Sequence, residues 1–216
     1  MTFSLNEIEA MGKRAARGAG LTWGLAEEAG KAARWLAAYG LPGSEKMADI
    51  LTRNDGKSYD DLAPVSVRGV WRAPSGWLCP LVSGAALCDR AAGIAEGHAI
   101  EFGPISQPLL LAPYAAAATE LTNTAVELSW AGVVMVFTAE GVSIDGEHAA
   151  VMARSADGAR CRRAEHTVVV SPADTVGRSV DAECWSRLNT FAQRTYAPAT
   201  EASRRVGAGA GLMDTD

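Results

Sequence analysis

The apolar residues of the first quarter of the chain recur at helical spacing. Ser4 and Glu7 form a capping box, in which serine and the glutamate three positions later satisfy each other's backbone amides, and an apolar stripe follows. Thr22 is the expected N-cap of a second helix, and a third helix is expected over residues 45–53. Residues 1–56 are therefore predicted to form a helical subregion.

Alternation of apolar and polar residues replaces this helical period in the middle of the chain. Asp-Gly and Glu-Gly steps separate the alternating segments, which is typical of tight hairpins. The predicted strands are residues 65–71, 77–81, 98–102, 109–112, 125–130, 133–138, 142–144, 148–154 and 161–170, and the predicted later helices are residues 83–95, 114–121 and 179–194. This order favours an α+β fold, with an N-terminal helical unit followed by a largely antiparallel sheet and a C-terminal helix.

Length and charge narrow the classes of protein. A chain of 216 residues is predicted to form a single domain, 1–216, with residues 207–216 as a candidate flexible tail. Its net charge of −5 and its short basic clusters argue against a nucleic-acid partner. No segment reaches the roughly 20 apolar residues of a membrane span, and residues 1–9 do not resemble a secretory signal. We therefore expect no membrane association and a cytoplasmic location.

The cysteines and histidines do not form a recognisable ligand motif. Four cysteines in a chain without a signal are expected to be reduced thiols. Their spacing, and that of the three histidines, matches no zinc pattern, so no metal site is predicted. No motif identifies a cofactor, which stays unknown at this stage.

Trp23 marks the first candidate site, at the start of the second predicted helix. Glu27 and Glu28 follow it by about one turn. A carboxylate beside an indole loses solvation, which would raise its pKa and suit Glu28 to acid–base catalysis, with Trp23 lining the ligand. Both glutamates equally fit a simpler role, in which they complement the positive N-terminal end of the helix dipole.

The second candidate site is the polar segment from residue 195 onward, which precedes glycines at every second position over residues 207–211. Such glycines permit a backbone concavity that holds an anion, and an arginine is able to clamp a carboxylate or phosphate with two hydrogen bonds. The candidate ligand-binding residues are Arg204, Arg205, Ser203 and Thr200, and the acid–base candidates are Tyr196 and Glu201. A frayed tail and a subunit contact are the alternatives for this segment.

Residues 4–10, residues 20–30 and the ending from Thr195 through Gly211 resemble a bacterial family known as domain of unknown function 3726. The resemblance runs over nearly the whole chain. It implies a bacterial metabolic setting and no established reaction, so it assigns no catalytic residue.

Residues 5–43 alone are similar to the N-terminal helical unit of the malate and lactate dehydrogenases of the non-Rossmann type. Those enzymes continue with a serine–histidine–glycine segment, where this chain has Leu41, Pro42 and Gly43. The resemblance therefore implies a structural role for these helices in subunit association rather than the dehydrogenase reaction.

Two functional hypotheses follow. The first is an enzyme, or the site-bearing subunit of one, that acts on a small anionic metabolite held by Arg204 or Arg205. The second is a non-catalytic subunit that stabilises or regulates a partner enzyme, within a homo- or hetero-oligomer. In the second case the contact surfaces are the glycine-rich ending and a helix face of small residues, namely Ala26, Gly30, Ala33 and Ala37.

Overall fold

A computed structural model describes residues 1–166 and 177–196 of the chain. Its N-terminal part is helical, as the sequence predicts. The helices are α1 (Leu5–Gly18), α2 (Trp23–Ala38), α3 (Gly43–Asn54) and the short α4 (Tyr59–Leu62). Ser4 and Glu7 form the predicted capping box, and the Thr22 hydroxyl accepts a hydrogen bond from the Leu25 amide. Local capping chemistry therefore fixes the beginnings of the first two helices.

Small residues let α1 and α2 pack backbone against backbone. A Cβ added to Gly30 would lie 2.7 Å from the Glu9 carbonyl oxygen, and one added to Gly12 would lie 3.3 Å from the Gly30 Cα. Ala26, Ala33 and Ala37 of the same α2 face are buried within this chain. The small-residue face is therefore used inside the molecule and does not provide the subunit contact surface that the second hypothesis requires.

The described strands confirm the α+β class and the largely antiparallel sheet. The strands are β1 (Thr2–Ser4), β2 (Val70–Trp71), β3 (Ile100–Phe102), β4 (Ile105–Ser106), β5 (Val126–Trp130), β6 (Val133–Thr138), β7 (Gly141–Asp145), β8 (Ser155–Ala156), β9 (Ala159–Arg163) and β10 (Gly177–Ser179). The main sheet has the order β2-β3-β9-β5-β6-β7, and within it β2 and β3 pair in parallel while all other neighbours are antiparallel. The pairs β1-β10 and β4-β8 form two further small sheets.

Two residues connect β5 to β6. Ala131 and Gly132 both have positive φ angles, of 42° and 81°, as a type I′ hairpin requires. β7 then returns beside β6 through the turn that ends at Gly141. The hairpins predicted at residues 131–132 and 140–141 are therefore confirmed. The Asp-Gly steps at residues 145–146 and 157–158 do not form hairpins, because α8 follows β7, and β8 pairs with β4 while β9 pairs with β3 and β5.

Four further helices complete the described fold: α5 (Pro80–Cys88), α6 (Ala91–Ala95), α7 (Ala112–Thr122) and α9 (Ala182–Gln193), with a single helical turn, α8 (His148–Val151), after β7. α7 packs between the sheet and α5, and α9 packs against α1 and α3. Buried side chains of the helices and of the main sheet form one continuous cluster. The tertiary position of α9 matters most here, because it meets α3 at a polar cluster.

Several strand predictions are wrong, and proline explains two of them. Residues 77–81 do not form a strand, because Pro80 is the first residue of α5, a position where its missing N–H is harmless. Residues 108–111 form a 3₁₀ turn that begins with Pro108, instead of the strand predicted over 109–112. Residues 65–71 are extended in β2 only at their last two positions. Proline, rather than the alternation of apolar and polar residues, therefore determined the secondary structure that follows Pro80 and Pro108.

The remaining differences are local. Residues 148–151 form α8 where a strand was predicted over 148–154, and the predicted helix over 83–95 is divided into α5 and α6 at Asp89 and Arg90. The helix predicted over 114–121 is confirmed as α7. Of the strand predicted over 161–170, residues 161–163 belong to β9, residues 164–166 are not in a strand, and residues 167–170 lie outside the described residues.

Candidate functional site

A polar cluster lies around Asp49, where α3 and α9 meet the turn at residues 106–108. The Asp49 carboxylate accepts a hydrogen bond from Arg187 Nη1 at 3.0 Å through Oδ1, and one from Gln107 Nε2 at 3.4 Å through Oδ2. Lys46 lies one turn before Asp49 on α3, and Arg154 approaches from the chain after α8. We call Lys46, Asp49, Gln107, Arg154 and Arg187 the Asp49 cluster.

Gln107 is the most constrained member of the Asp49 cluster. Gln107 is only 4% exposed, and its backbone adopts a left-handed conformation with φ of 47°. Its backbone N–H donates to the Arg154 carbonyl at 2.8 Å, which holds the turn against residues 152–154. The amide oxygen Oε1 is buried and has no hydrogen-bond partner within residues 1–166 and 177–196. A strained backbone and an unsatisfied acceptor at the same residue are typical of functional sites.

Lys46 is a buried amine of the same cluster. The residue is 6% exposed, and its Nζ donates to the carbonyl oxygens of Met152, at 2.7 Å, and Ala153, at 3.4 Å. Burial lowers the pKa of Lys46, Arg154 lowers it further, and the carboxylates of Asp49 and Glu45 oppose the shift. An amine with a depressed pKa is suited to proton transfer as well as to holding an anion.

Arg187 supplies the complementary unsatisfied donor. Its hydrogen bond to Asp49 raises the pKa of the guanidinium, so the group stays charged. Its Nε–H, in contrast, is buried without an acceptor among the described residues. The cluster therefore has one orphan donor, on Arg187, and one orphan acceptor, on Gln107, and both residues bind the Asp49 carboxylate.

The Asp49 cluster contains more positively charged side chains than carboxylates that pair with them within 4.0 Å. Arg187 compensates Asp49, whereas neither Lys46 nor Arg154 has a carboxylate within 4.0 Å in the described part of the chain. Glu45 acts on Lys46 at longer range. A small anion that also carries a hydrogen-bond donor would satisfy both the surplus charge and the two orphan groups.

The residues predicted around Trp23 lie elsewhere. Trp23 is 64% exposed and contacts the cationic groups of Lys13 and Arg17 with its ring, at 5.9 Å and 5.2 Å from the centroid. Glu28 forms an ion pair with Lys31 at 2.7 Å. The hydrogen bond from Lys13 lowers the pKa of Glu27, which is the opposite of the rise considered from the sequence. Glu27 is thus a solvent-exposed carboxylate paired with Lys13, and it lies beyond the first turn of α2.

Tyr196 is the last described residue of the C-terminal candidate segment. Its hydroxyl accepts a hydrogen bond from Arg14 Nη1 at 2.9 Å, on the exposed side of α1. Neither Tyr196 nor Trp23 contacts the Asp49 cluster. The candidates Thr200, Glu201, Ser203, Arg204 and Arg205 lie outside the described residues.

Sequence reasoning did not identify the Asp49 cluster. Lys46 and Asp49 have the spacing of charges on an exposed helix face, and Gln107 is a single polar residue before Pro108. The available signal was this glutamine itself, because a polar residue beside a buried apolar run requires a partner. Its connection to Arg187 spans 80 residues of chain and is visible only after folding.

No group of three or more histidine, cysteine, aspartate or glutamate side chains within residues 1–166 and 177–196 is arranged to hold a metal ion. All four cysteines are free thiols. Among the described helices, none is both long enough and apolar enough to cross a membrane.

Comparison with known proteins supports part of the family resemblance. Residues 3–79 match the model of a family described as "Protein of unknown function (DUF3726)". No curated protein matches the chain. The structure is weakly similar to malate dehydrogenase from Entamoeba histolytica, with 11% sequence identity and a TM-score of 0.47 over 67% of this chain and 45% of that chain. This chain thus spans less than half the length of that enzyme.

Proposed function

We propose that the protein is an enzyme, or the site-bearing subunit of one, that acts on a small anionic metabolite bound at the Asp49 cluster. The observation that carries the proposal is the pair of buried atoms without partners among the described residues, Gln107 Oε1 and Arg187 Nε, in two side chains that both bind Asp49. Burying such groups costs about 1–3 kcal/mol each unless something binds them. A ligand with an acceptor for Arg187 and a donor for Gln107 would recover that free energy.

The cations of the cluster favour an anion over a neutral ligand. Lys46 and Arg154 carry charge without a neighbouring carboxylate within 4.0 Å in the described ranges, and Lys46 has a depressed pKa that supports an acid–base role. The proposed setting is the bacterial cytoplasm, as a homo- or hetero-oligomer, as the resemblance in sequence implies; the free cysteines are consistent with a reducing compartment.

The test is a thermal-shift screen with a library of small metabolites, followed by an assay for consumption of any hit. Arg154→Gln removes an exposed guanidinium of the cluster that has no ion-pair partner, so the variant should fold normally. Arg160→Gln is the matched control, since Arg160 is an exposed arginine of β9 whose partner is Glu101. We expect one class of anion to raise the melting temperature of wild type and Arg160→Gln, and to raise that of Arg154→Gln by much less.

Two results would contradict the proposal. An equal rise in the melting temperature of Arg154→Gln and Arg160→Gln would place the anion elsewhere. If no anion raised the melting temperature of the wild type, anionic metabolites would be excluded as the ligand. The alternative function, a non-catalytic subunit that stabilises or regulates a partner enzyme, predicts that no metabolite is consumed. One of the two contact surfaces that this alternative proposes is not available to a partner, because α2 packs its small-residue face against α1.

A further inference from the structure

A cavity lies beneath the turn that joins α1 to α2, and it shares no lining residue with the Asp49 cluster. Its volume is about 50 Å³. The turn at residues 19–22 forms one side, the end of α3 with the loop to α4 forms another, and the start of α5 closes the inner end. It is therefore bounded by four helices and two loops.

The walls of this cavity are apolar on the inside and polar at the opening. The apolar walls are formed by Leu25, Leu51, Leu62, Leu81 and Val82, of which all but Leu25 are buried. Lys57 and Tyr59 line the cavity as exposed residues and so mark its opening. The arrangement is that of a small-molecule pocket, in which an apolar interior provides affinity and a few polar groups fix the orientation.

The interior offers few polar groups. The Cys79 thiol at the inner end is buried, and burial raises its pKa, so it stays protonated and is only a weak hydrogen-bonding group. The Thr22 hydroxyl accepts from the Leu25 amide. A buried water needs about two to four polar partners, which these groups do not offer. The cavity is therefore better filled by an apolar group than by water.

Lys57 gives the opening a positive charge. It has no carboxylate within 4.0 Å in the part of the chain that the structure describes. The glycines of the two bordering loops, Gly20 and Gly56, have positive φ angles, and a Cβ on either would meet nothing within 4 Å. Both loops therefore leave open space in the direction in which a Cβ would point.

We propose that this cavity binds a short unbranched aliphatic chain whose anionic head group pairs with Lys57 at the opening. A cavity of about 150 Å³ holds benzene, so one of about 50 Å³ accommodates roughly two or three carbons beyond the head group. Straight-chain carboxylates of three to four carbons are the matching probes. The site is separate from the Asp49 cluster and does not depend on the proposed function.

Protection of Cys79 provides a readout located inside the cavity. The full-length protein is treated with methyl methanethiosulfonate, a small thiol reagent, with and without butanoate, and modification of the Cys79 peptide is followed by mass spectrometry. The buried thiol Cys161, which lies in the main sheet, is the internal control for general opening of the fold. We expect butanoate to slow modification of Cys79 and to leave that of Cys161 unchanged.

Two variants separate the roles of charge and volume. Lys57→Gln removes the charge at the opening, and Leu25→Phe fills part of the cavity from a half-buried position. Lys31→Gln is the matched control, because Lys31 is an exposed lysine of α2 that does not line this cavity. Butanoate should protect about fivefold less well in Lys57→Gln than in wild type or Lys31→Gln, as expected for the loss of one partly exposed ion pair.

Comparison with an uncharged chain completes the test. Butan-1-ol should protect wild type and Lys57→Gln equally, and Leu25→Phe should abolish protection by both probes. Equal protection by butanoate in all variants, or no protection of Cys79 in the wild type, would overturn the proposal. The response of Arg154→Gln distinguishes the two sites, since that variant should keep full protection of Cys79 while it loses the anion response of the Asp49 cluster.

Discussion

Substitution of Gly18 by alanine should separate α1 from α9 and thereby disrupt the Asp49 cluster from a distance. A Cβ at residue 18 would lie 1.8 Å from the Phe191 carbonyl oxygen, whereas ordinary contacts begin at 3.4 Å. That carbonyl belongs to the backbone of α9 and accepts a hydrogen bond from the Arg194 amide at 3.0 Å, so it does not rotate away. The two helices have to move apart, and α9 carries Arg187.

The magnitude follows from two opposing effects. Replacing glycine by alanine within a helix normally stabilises a protein by about 0.5–1 kcal/mol. Overpacking against a fixed backbone destabilises by about 1–3 kcal/mol, and retreat of α9 also uncovers the buried residues Leu188 and Phe191. We therefore expect Gly18→Ala to lower the free energy of unfolding by about 2 kcal/mol despite the gain in helix propensity.

Gly24→Ala is the matched control, because Gly24 lies in α2 and a Cβ there would meet nothing within 4 Å. It should raise the free energy of unfolding by about 0.5–1 kcal/mol. Urea unfolding of the two variants and wild type, followed by tryptophan fluorescence, measures the difference, and near-ultraviolet circular dichroism reports on the stacked rings of Phe3 and Trp185 at 3.6 Å. If Gly18→Ala were as stable as Gly24→Ala, the packing of α1 on α9 described here would be refuted.

Three further substitutions test local strain and buried ionisation. Ala131→Asn should raise the free energy of unfolding by about 0.5–1 kcal/mol in urea titrations, because asparagine tolerates the positive φ of this hairpin position better than alanine does. Burial raises the pKa of the Cys161 thiol, so folding opposes its ionisation. Relative to Cys161→Ala, the wild type should lose about 2 kcal/mol of stability between pH 8.5 and pH 10. A difference that does not depend on pH would contradict the burial of this thiol. The pH dependence has the opposite sign for Lys46. Burial lowers the pKa of its amine, so the unfolded chain binds a proton more tightly than the folded chain does. The stability of wild type relative to Lys46→Met should therefore rise as the pH rises towards about 10.4. Unfolding midpoints of the two proteins at a series of pH values measure this gain, and a falling difference would show that the amine is stabilised as a cation.

Local chemistry determined those elements whose signals lie within a few residues. The capping box of Ser4 and Glu7 and the N-cap at Thr22 predicted where α1 and α2 begin, because a side chain satisfies amides only one turn away. The two-residue turn at Ala131 likewise predicted the β5–β6 hairpin. In each case the sequence contained every group that takes part.

Tertiary structure decided the elements whose partners are distant in sequence. Residues 109–112 look like a strand, yet Pro108 begins a 3₁₀ turn there, and contacts with residue 154 and Asp49, both distant in sequence, hold the preceding Gln107 in a left-handed conformation. The apolar stripe of α2 was visible in the sequence, but its small-residue face covers α1 rather than another subunit.

The candidate site illustrates the same division. The sequence predicts anion-binding residues near the end of the chain, in a segment that lies mostly outside the described residues. The cluster that the structure reveals joins Asp49 to Arg187 across 138 positions, and no periodicity or motif links residues so far apart. Its unpaired buried donor and acceptor exist only because folding removes water from both groups at once. The sequence by itself determined the first two helices and the β5–β6 and β6–β7 hairpins, whereas the packing of α9 against α3 decided where the Asp49 cluster lies.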